Sequence, residues 1–215
     1  MPILEAEMPT IAARSPRRPP AETRRLMLKC IGELLENKAP WEIRASHVAA
    51  AAGTTQPNFY SHFRNIEEAI MARAGQVWDL YPVAELAQLL ERGLNSGDDE
   101  PLQHFFMLTV GFWCRHGGLL RAVSRLSGDE NPAVRGLRHH AQYPLISLCE
   151  AAVGRAQATG NLPPSLHLSL AANAAMRFLD EAASHFQIMR DAGELSSETI
   201  AQTIVPMFRR LLSGQ

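Results

Sequence analysis

The stretch from Trp41 to Ala74, WEIRASHVAAAAGTTQPNFYSHFRNIEEAIMARA, constrains this chain more than any other. The alanine run Ala49 to Ala52 has high helix propensity and small side chains, so a second helix can cross close to it. Gly53 follows, and glycine takes the positive φ that a sharp helix end needs. A turn is therefore expected at Gly53. Beyond it, Thr54 or Thr55 offers a hydroxyl to cap a new helix, and Pro57 falls in the first turn, where its missing N–H leaves no intrahelical bond unmade. Phe59 and Phe63 lie four apart and face the core together, which leaves Gln56, Asn58, Tyr60 and His62 to point elsewhere. Gln and Asn pair bidentately with adenine edges in a major groove, and Tyr and His donate to phosphate oxygens. Two short helices joined by a tight turn, the second carrying this polar set, predict a helix-turn-helix that grips DNA.

At these residues the chain resembles the tetracycline-repressor (TetR) family of bacterial transcription regulators. The resemblance rests on Val48-Ala49, Ala52-Gly53, Gln56-Pro57-Asn58 and Phe59-Tyr60-Ser61-His62-Phe63, then Asn65 and the helix start Glu67-Glu68-Ala69-Ile70. It covers residues 21 to 74; further on, only helix number and layout match. It implies an all-α protein, with a three-helix DNA-binding domain at residues 21–74 and a larger helical domain for ligand binding and dimerisation at residues 75–215. Two positions depart from the family pattern. Arg44 stands where Thr is usual, with Ser46 as the alternative cap of the second helix, and Ile66 stands where a phosphate-reaching Lys is frequent, with Arg64 as a partial substitute.

Charge is distributed as such a reading requires. The 215 residues carry a net −1, which if spread evenly would argue against nucleic acid. From Ile11 to Gly75, however, ten Lys and Arg face six Glu, giving +4, and the remainder is acidic. A basic N-terminal module on an acidic body suits a DNA-binding end. Cys30, Cys114 and Cys149 are odd in number, widely spaced and without a CxxC pair, as expected of buried thiols in a reducing cytoplasm. No stretch approaches the apolar length of a membrane span, and no signal peptide is evident, so the expected location is cytoplasmic.

In chain order, residues 1–20 hold five prolines and the basic cluster Arg14, Arg17 and Arg18, predicting a disordered arm that is either a solvated tail or a strand along the DNA. Ala21 to Asn37 shows a helical stripe, ended by Lys38-Ala39-Pro40, with Trp41 and Ile43 expected to anchor the next loop in the core. Ile66 to Gly93 reads as one helix that Pro82 kinks or interrupts. Leu102 to Trp113 is apolar on most sides, as a helix at the centre of a bundle would be, and Gly117-Gly118 is expected to stop it before a short helix at Leu119 to Leu126. A turn at Ser127 to Asn131 precedes a long helix from Pro132 to Thr159 with Pro144 inside it, and helices at Leu166 to Arg190 and Ser197 to Leu212 complete the chain, the last capped by Ser196 or Ser197.

The expected DNA face comprises Arg44, Ser46, Thr54, Thr55, Gln56, Pro57, Asn58, Tyr60, His62 and Arg64. Trp78, Tyr81, Phe105, Phe112, Trp113, His116, His140 and Tyr143 form a candidate ligand cavity between helices, although each singly also reads as core. Stripes on the last two helices, Ala171, Ala175, Phe178, Leu179, Ala182, Phe186, Ile200, Ile204 and Phe208, either close the subunit's own core or, as the resemblance implies, form a four-helix homodimer interface. No catalytic constellation, metal-ligand spacing or phosphate loop is present, so neither enzyme activity nor a cofactor is expected. The function expected is a ligand-responsive regulator, in the first place a repressor, that binds a palindromic operator as a homodimer and is released by a small-molecule inducer. The alternative is a helical small-molecule-binding or adaptor protein without sequence-specific DNA binding, against which the basic module and the polar set at Gln56 to His62 speak.

Overall fold

Helices α1 (Pro20–Asn37), α2 (Ala45–Ala51), α3 (Gln56–Tyr60) and α4 (Ile66–Trp78) are followed by α5 (Val83–Ser96), α6 (Glu100–Leu126), α7 (Pro132–Ala158), α8 (Leu168–Asp191) and α9 (Ser197–Ser213). The computed structural model describes residues 18–126, 132–193 and 196–213, and among these the only other regular element is a 3-10 turn at Pro40–Glu42. The chain is all-α, as its sequence predicts. The arm expected over residues 1–20 lies outside the described residues up to Arg17, but Pro20 is already helical. The expected turn at residues 127–131 also lies outside them.

Helix α6 is the axis. It packs against α1, α4, α5, α8 and α9, while α7 closes the far side against α5 and α8. Its length corrects the expectation that Gly117-Gly118 would end a helix near Trp113: both glycines are buried inside one 27-residue helix. The reason is a close crossing. A Cβ on Gly118 would stand 2.3 Å from the Leu35 carbonyl oxygen of α1, so the glycine permits contact of two helices instead of ending one. Beside the crossing sits Glu36, whose carboxyl is pushed above its ordinary pKa by burial, against the opposing pull of Arg121.

Pro82 interrupts the long helix expected from Ile66 to Gly93. Residues preceding a proline disfavour the helical region, and α4 accordingly stops at Trp78, with Pro82 at the entry to α5. Pro144 lies within α7 as expected, and Pro206, not singled out from the sequence, lies on the exposed side of α9. Ser196 caps α9, its Oγ accepting from the Thr199 N–H at 3.1 Å. Ile43 is buried, but Trp41 is 72% exposed. Ile43 therefore anchors the loop as expected and Trp41 does not; the Arg125 guanidinium lies over the Trp41 ring at 5.5 Å. Cys30 and Cys149 are buried whereas Cys114 is only half-buried. Burial pushes the Cys149 thiol up to about 12, which leaves it unreactive at neutral pH.

Candidate nucleic-acid interface and effector site

The turn between α2 and α3 is set by backbone geometry. Gly53 has φ +63; its N–H donates to the Ala50 carbonyl at 3.1 Å and the Thr54 N–H to the Ala49 carbonyl at 2.9 Å. These are the paired bonds of a Schellman motif, which close the C-terminal carbonyls of α2. Thr55, not Thr54, then caps α3: its Oγ1 accepts from the Asn58 N–H at 3.4 Å. Thr54 has a different task, accepting from the Asn58 side-chain amide at 2.8 Å. At the start of α2 the cap expected of Ser46 is not made. Ser46 sits inside the first turn, and the Arg44 N–H donates instead to His47 Nδ1 at 3.3 Å.

Helix α3 is held from beneath by two rings. Phe59 and Phe63 are 0% and 2% exposed, their centroids 5.4 Å apart, and the Arg24 guanidinium of α1 lies 4.9 Å from the Phe63 centroid. Above them Arg44, Ser46, Thr55, Gln56, Pro57, Tyr60 and Arg64 are exposed, and Thr54, Asn58 and His62 are half-exposed. Thr54, Thr55, Pro57, Asn58 and Ser61 line an open hollow of about 470 Å³. The amide of Asn58 is engaged at both ends, since Ser61 Oγ lies 3.2 Å from its Oδ1. On α3, Gln56 and Tyr60 are thus the long side chains most free to reach a partner. Asn65 opens α4 by accepting from the Glu68 N–H at 2.8 Å, and Glu68 accepts from the Arg64 N–H at 2.7 Å, which fixes the exit from α3.

One contact at this surface was not foreseen. Arg18, placed in the arm by its sequence, donates from Nη1 to the Ala52 carbonyl at 2.9 Å. That carbonyl belongs to the residue closing α2, so the last residue before the two prolines is fastened to the helix-turn-helix turn.

The candidate effector residues separate into groups. Trp78, Tyr81 and Phe112 form a mutual ring cluster with centroids 4.6–5.5 Å apart, and His116 joins it 5.0 Å from Phe112. The Tyr81 hydroxyl meets Thr109 Oγ1 at 3.3 Å, and Thr109 donates to the Phe105 carbonyl. Burial, with Arg115 and Arg73 nearby, holds the His116 imidazole below its ordinary pKa, so it is neutral at physiological pH. Phe105 and Trp113 are buried, Tyr143 is 56% exposed, and the side chain of His140 lies outside the described residues. Arg73, not singled out from the sequence, places a buried Nε, without a hydrogen-bond partner among the described residues, beside Gly32 of α1. Periodicity could not have flagged it, because an arginine at a three-helix junction carries no pattern.

Of the interface stripe, Ala171, Ala175, Leu179, Ile200, Ile204 and Phe208 are buried within the chain itself, while Phe178, Ala182 and Phe186 are half-buried. The apolar side chains left uncovered on α8 and α9 include Leu170, Met207 and Leu211, which are 70%, 52% and 47% exposed.

No protein-family model matches the sequence, and no curated protein matches it. Solved structures match the fold over nearly the whole chain. A putative TetR-family transcriptional regulator from Rhodococcus sp. superposes with TM-score 0.64 at 19% identity, covering 89% of this chain and 99% of its own. NalD, the secondary repressor of the MexAB-OprM multidrug efflux pump in Pseudomonas aeruginosa, gives 0.63 at 21% identity, covering 91% and 98%. FadR from Bacillus subtilis, solved with stearoyl-CoA, gives 0.63 at 14% identity, covering 91% and 98%. The chain therefore has the fold of the TetR-family regulators.

Proposed function

We propose that this protein is a transcriptional regulator, a repressor in the first place, that binds a palindromic operator as a homodimer and is released by a small-molecule effector. The observation that carries this reading is the surface of α3. A five-residue helix has too little hydrogen bonding to persist alone, yet here it is capped by Thr55, closed onto α2 through Gly53 and seated on Phe59 and Phe63. A rigid mount for Gln56 and Tyr60 is what reading base edges requires. Residues 21–74 form the DNA-binding domain in this account and residues 75–215 the regulatory one. Double-stranded operator DNA, a second copy of the chain and a small molecule are the partners, and the location is the cytoplasm. No cofactor and no catalysis enter the account.

The aromatic cluster of Trp78, Tyr81, Phe112 and His116 is the proposed effector contact. It lies where α4, coming from α3, reaches α6 and then turns into α5. An effector that wedges these rings apart tilts α4 and moves α3 in its groove. To weaken operator binding about 100-fold it must favour the released state by about 2.7 kcal/mol, within the usual range of allosteric coupling.

The test is selection of duplexes from a randomised library by the purified protein. Enrichment of an inverted repeat, with half-sites about 10 base pairs or somewhat more apart, supports the reading. Failure to enrich any sequence over the starting library contradicts it.

A further inference from the structure

Helices α1, α4 and α6 meet at a group of cationic side chains with no acid to balance them. Arg73 of α4 lies against α1 at Gly32, where an added Cβ would stand 3.3 Å from its Nε. That Nε is buried and has no hydrogen-bond partner among the described residues, while Nη1 donates to Gln76 Oε1 at 3.3 Å. Arg115 and His116 of α6 complete the group. Burial lowers the His116 pKa most, the Arg115 and Arg73 guanidiniums lower it further, and no carboxylate acts against them. Neither arginine forms an ion pair among the described residues, whereas Arg155 and Arg209 pair with Glu91 and Asp99. A buried donor without a partner is destabilising, and like charges gathered at one place repel. An anion bound there relieves both.

The group adjoins the ring cluster. The His116 ring centroid lies 5.0 Å from that of Phe112, and Phe112 packs on Trp78 and Tyr81. Along α4, Arg73 comes before Trp78, and along α6, His116 lies between Phe112 and Gly118, where α6 crosses α1. The cations therefore stand on the side of the DNA-binding domain and the rings on the regulatory side. Arg115 is exposed and Arg73 and His116 are half-buried, so solvent reaches the charged end. A ligand that spans both has an apolar body and an anionic head toward α1. A single negative charge suits the place, because charge is costly to desolvate beside rings. The two oxygens of a carboxylate match the parallel N–H groups of a guanidinium.

We propose that Arg73, Arg115 and His116 hold the carboxylate of an apolar carboxylic acid, the effector whose body lies against Trp78, Tyr81 and Phe112. The proposal rests on the reading of the chain as an effector-released regulator and names the class of effector. The neutral His116 imidazole supplies one N–H donor and the two guanidiniums supply the charge. In binding, the carboxylate draws the Arg73 side chain off Gly32, and α4 loses that contact with α1. The acid thus binds better to a state in which α4 is free to tilt, which is the differential affinity that release requires.

Calorimetric titration of the parent with benzoate, naphthoate, hexanoate and octanoate, each beside its primary amide, tests the head group, because the amide keeps the shape and removes the charge. The best carboxylate is expected to bind about 10-fold or more tightly than its amide, as hydrogen bonds to a charged group are the stronger ones. Arg73→Gln and Arg115→Gln are each expected to weaken that carboxylate about 10-fold and its amide little. Arg115→Gln, at an exposed position, carries the comparison if Arg73→Gln does not fold. Anisotropy on a duplex enriched by the parent is expected to show weaker DNA binding with the carboxylate than with the amide at equal concentration. Failure of every carboxylate to bind, equal affinity for acid and amide, or an undiminished preference in Arg115→Gln overturns the proposal. A carboxylate that binds with this preference and leaves duplex affinity unchanged overturns its role as the effector. The reading of the chain as a DNA-binding regulator fails separately, when the parent enriches no duplex.

Discussion

At the scale of single residues, two glycines inside helices behave oppositely. Gly118 is where α6 touches the backbone of α1: an added Cβ would meet the Leu35 carbonyl oxygen at 2.3 Å and the Glu36 Cα at 3.0 Å. Backbone cannot step aside as a flexible side chain can, so Gly118→Ala is expected to destabilise the fold by about 1–3 kcal/mol or more. Gly136, within α7, has nothing among the described residues within 4 Å of its would-be Cβ. There alanine only removes the entropy that glycine loses in a helix, and Gly136→Ala should raise stability by about 0.5–1 kcal/mol. Urea denaturation of the two variants checks the pair, and a neutral Gly118→Ala would show that the α1–α6 contact is loose. The pair also explains a failure of sequence reading. Two adjacent glycines read as a helix stop when only local propensity is weighed, and the partner that makes Gly118 necessary lies 83 positions away at Leu35.

At the scale of elements, helices α8 and α9 show where periodicity is informative and where it stops. It located both helices and their apolar stripes, but a stripe does not state which surface covers it. Most of the expected interface, including Ile204 at 5% exposure, is taken up by the chain's own core, so Ile204→Glu would unfold the subunit and say nothing about assembly. The faces available to a second copy carry Leu170, Met207 and Leu211, next to half-buried Phe178, whose ring stacks on Phe208 at 6.4 Å. Met207 and Leu211 lie four residues apart on one side of α9. Met207→Glu/Leu211→Glu is expected to give a folded monomer by light scattering and circular dichroism, with operator affinity greatly reduced, because an unpaired charge is costly in an apolar contact. A folded variant that remains dimeric would place the interface elsewhere.

At the scale of the whole molecule, α4 is the element that joins the proposed recognition helix to the proposed effector cluster; it packs on α1 and α6 and ends where Pro82 breaks the chain. The sequence showed the all-helical architecture, the helix-turn-helix, the Pro82 break and the Phe59 and Phe63 anchors, because each is written in local pattern: a 3.6-residue stripe, a glycine after alanines, a proline between stripes. It did not show the Arg18 anchor, the Thr54–Asn58 bond or the exposure of Trp41, each of which depends on what tertiary packing brings near. The Thr54–Asn58 bond bears on the central claim, that α3 reads sequence, since it holds one of the two amides expected to meet adenine. Gln56 is then the more decisive residue. The direct measurement is the affinity of the parent and of Gln56→Ala for an enriched duplex and for a random-sequence duplex at one salt concentration. A base contact predicts that Gln56→Ala loses about 1–3 kcal/mol on the enriched duplex and almost nothing on the random one, so that the ratio between them shrinks by roughly 5- to 150-fold. An unchanged ratio would contradict the account, because it would mean that the exposed face of α3 does not read the sequence.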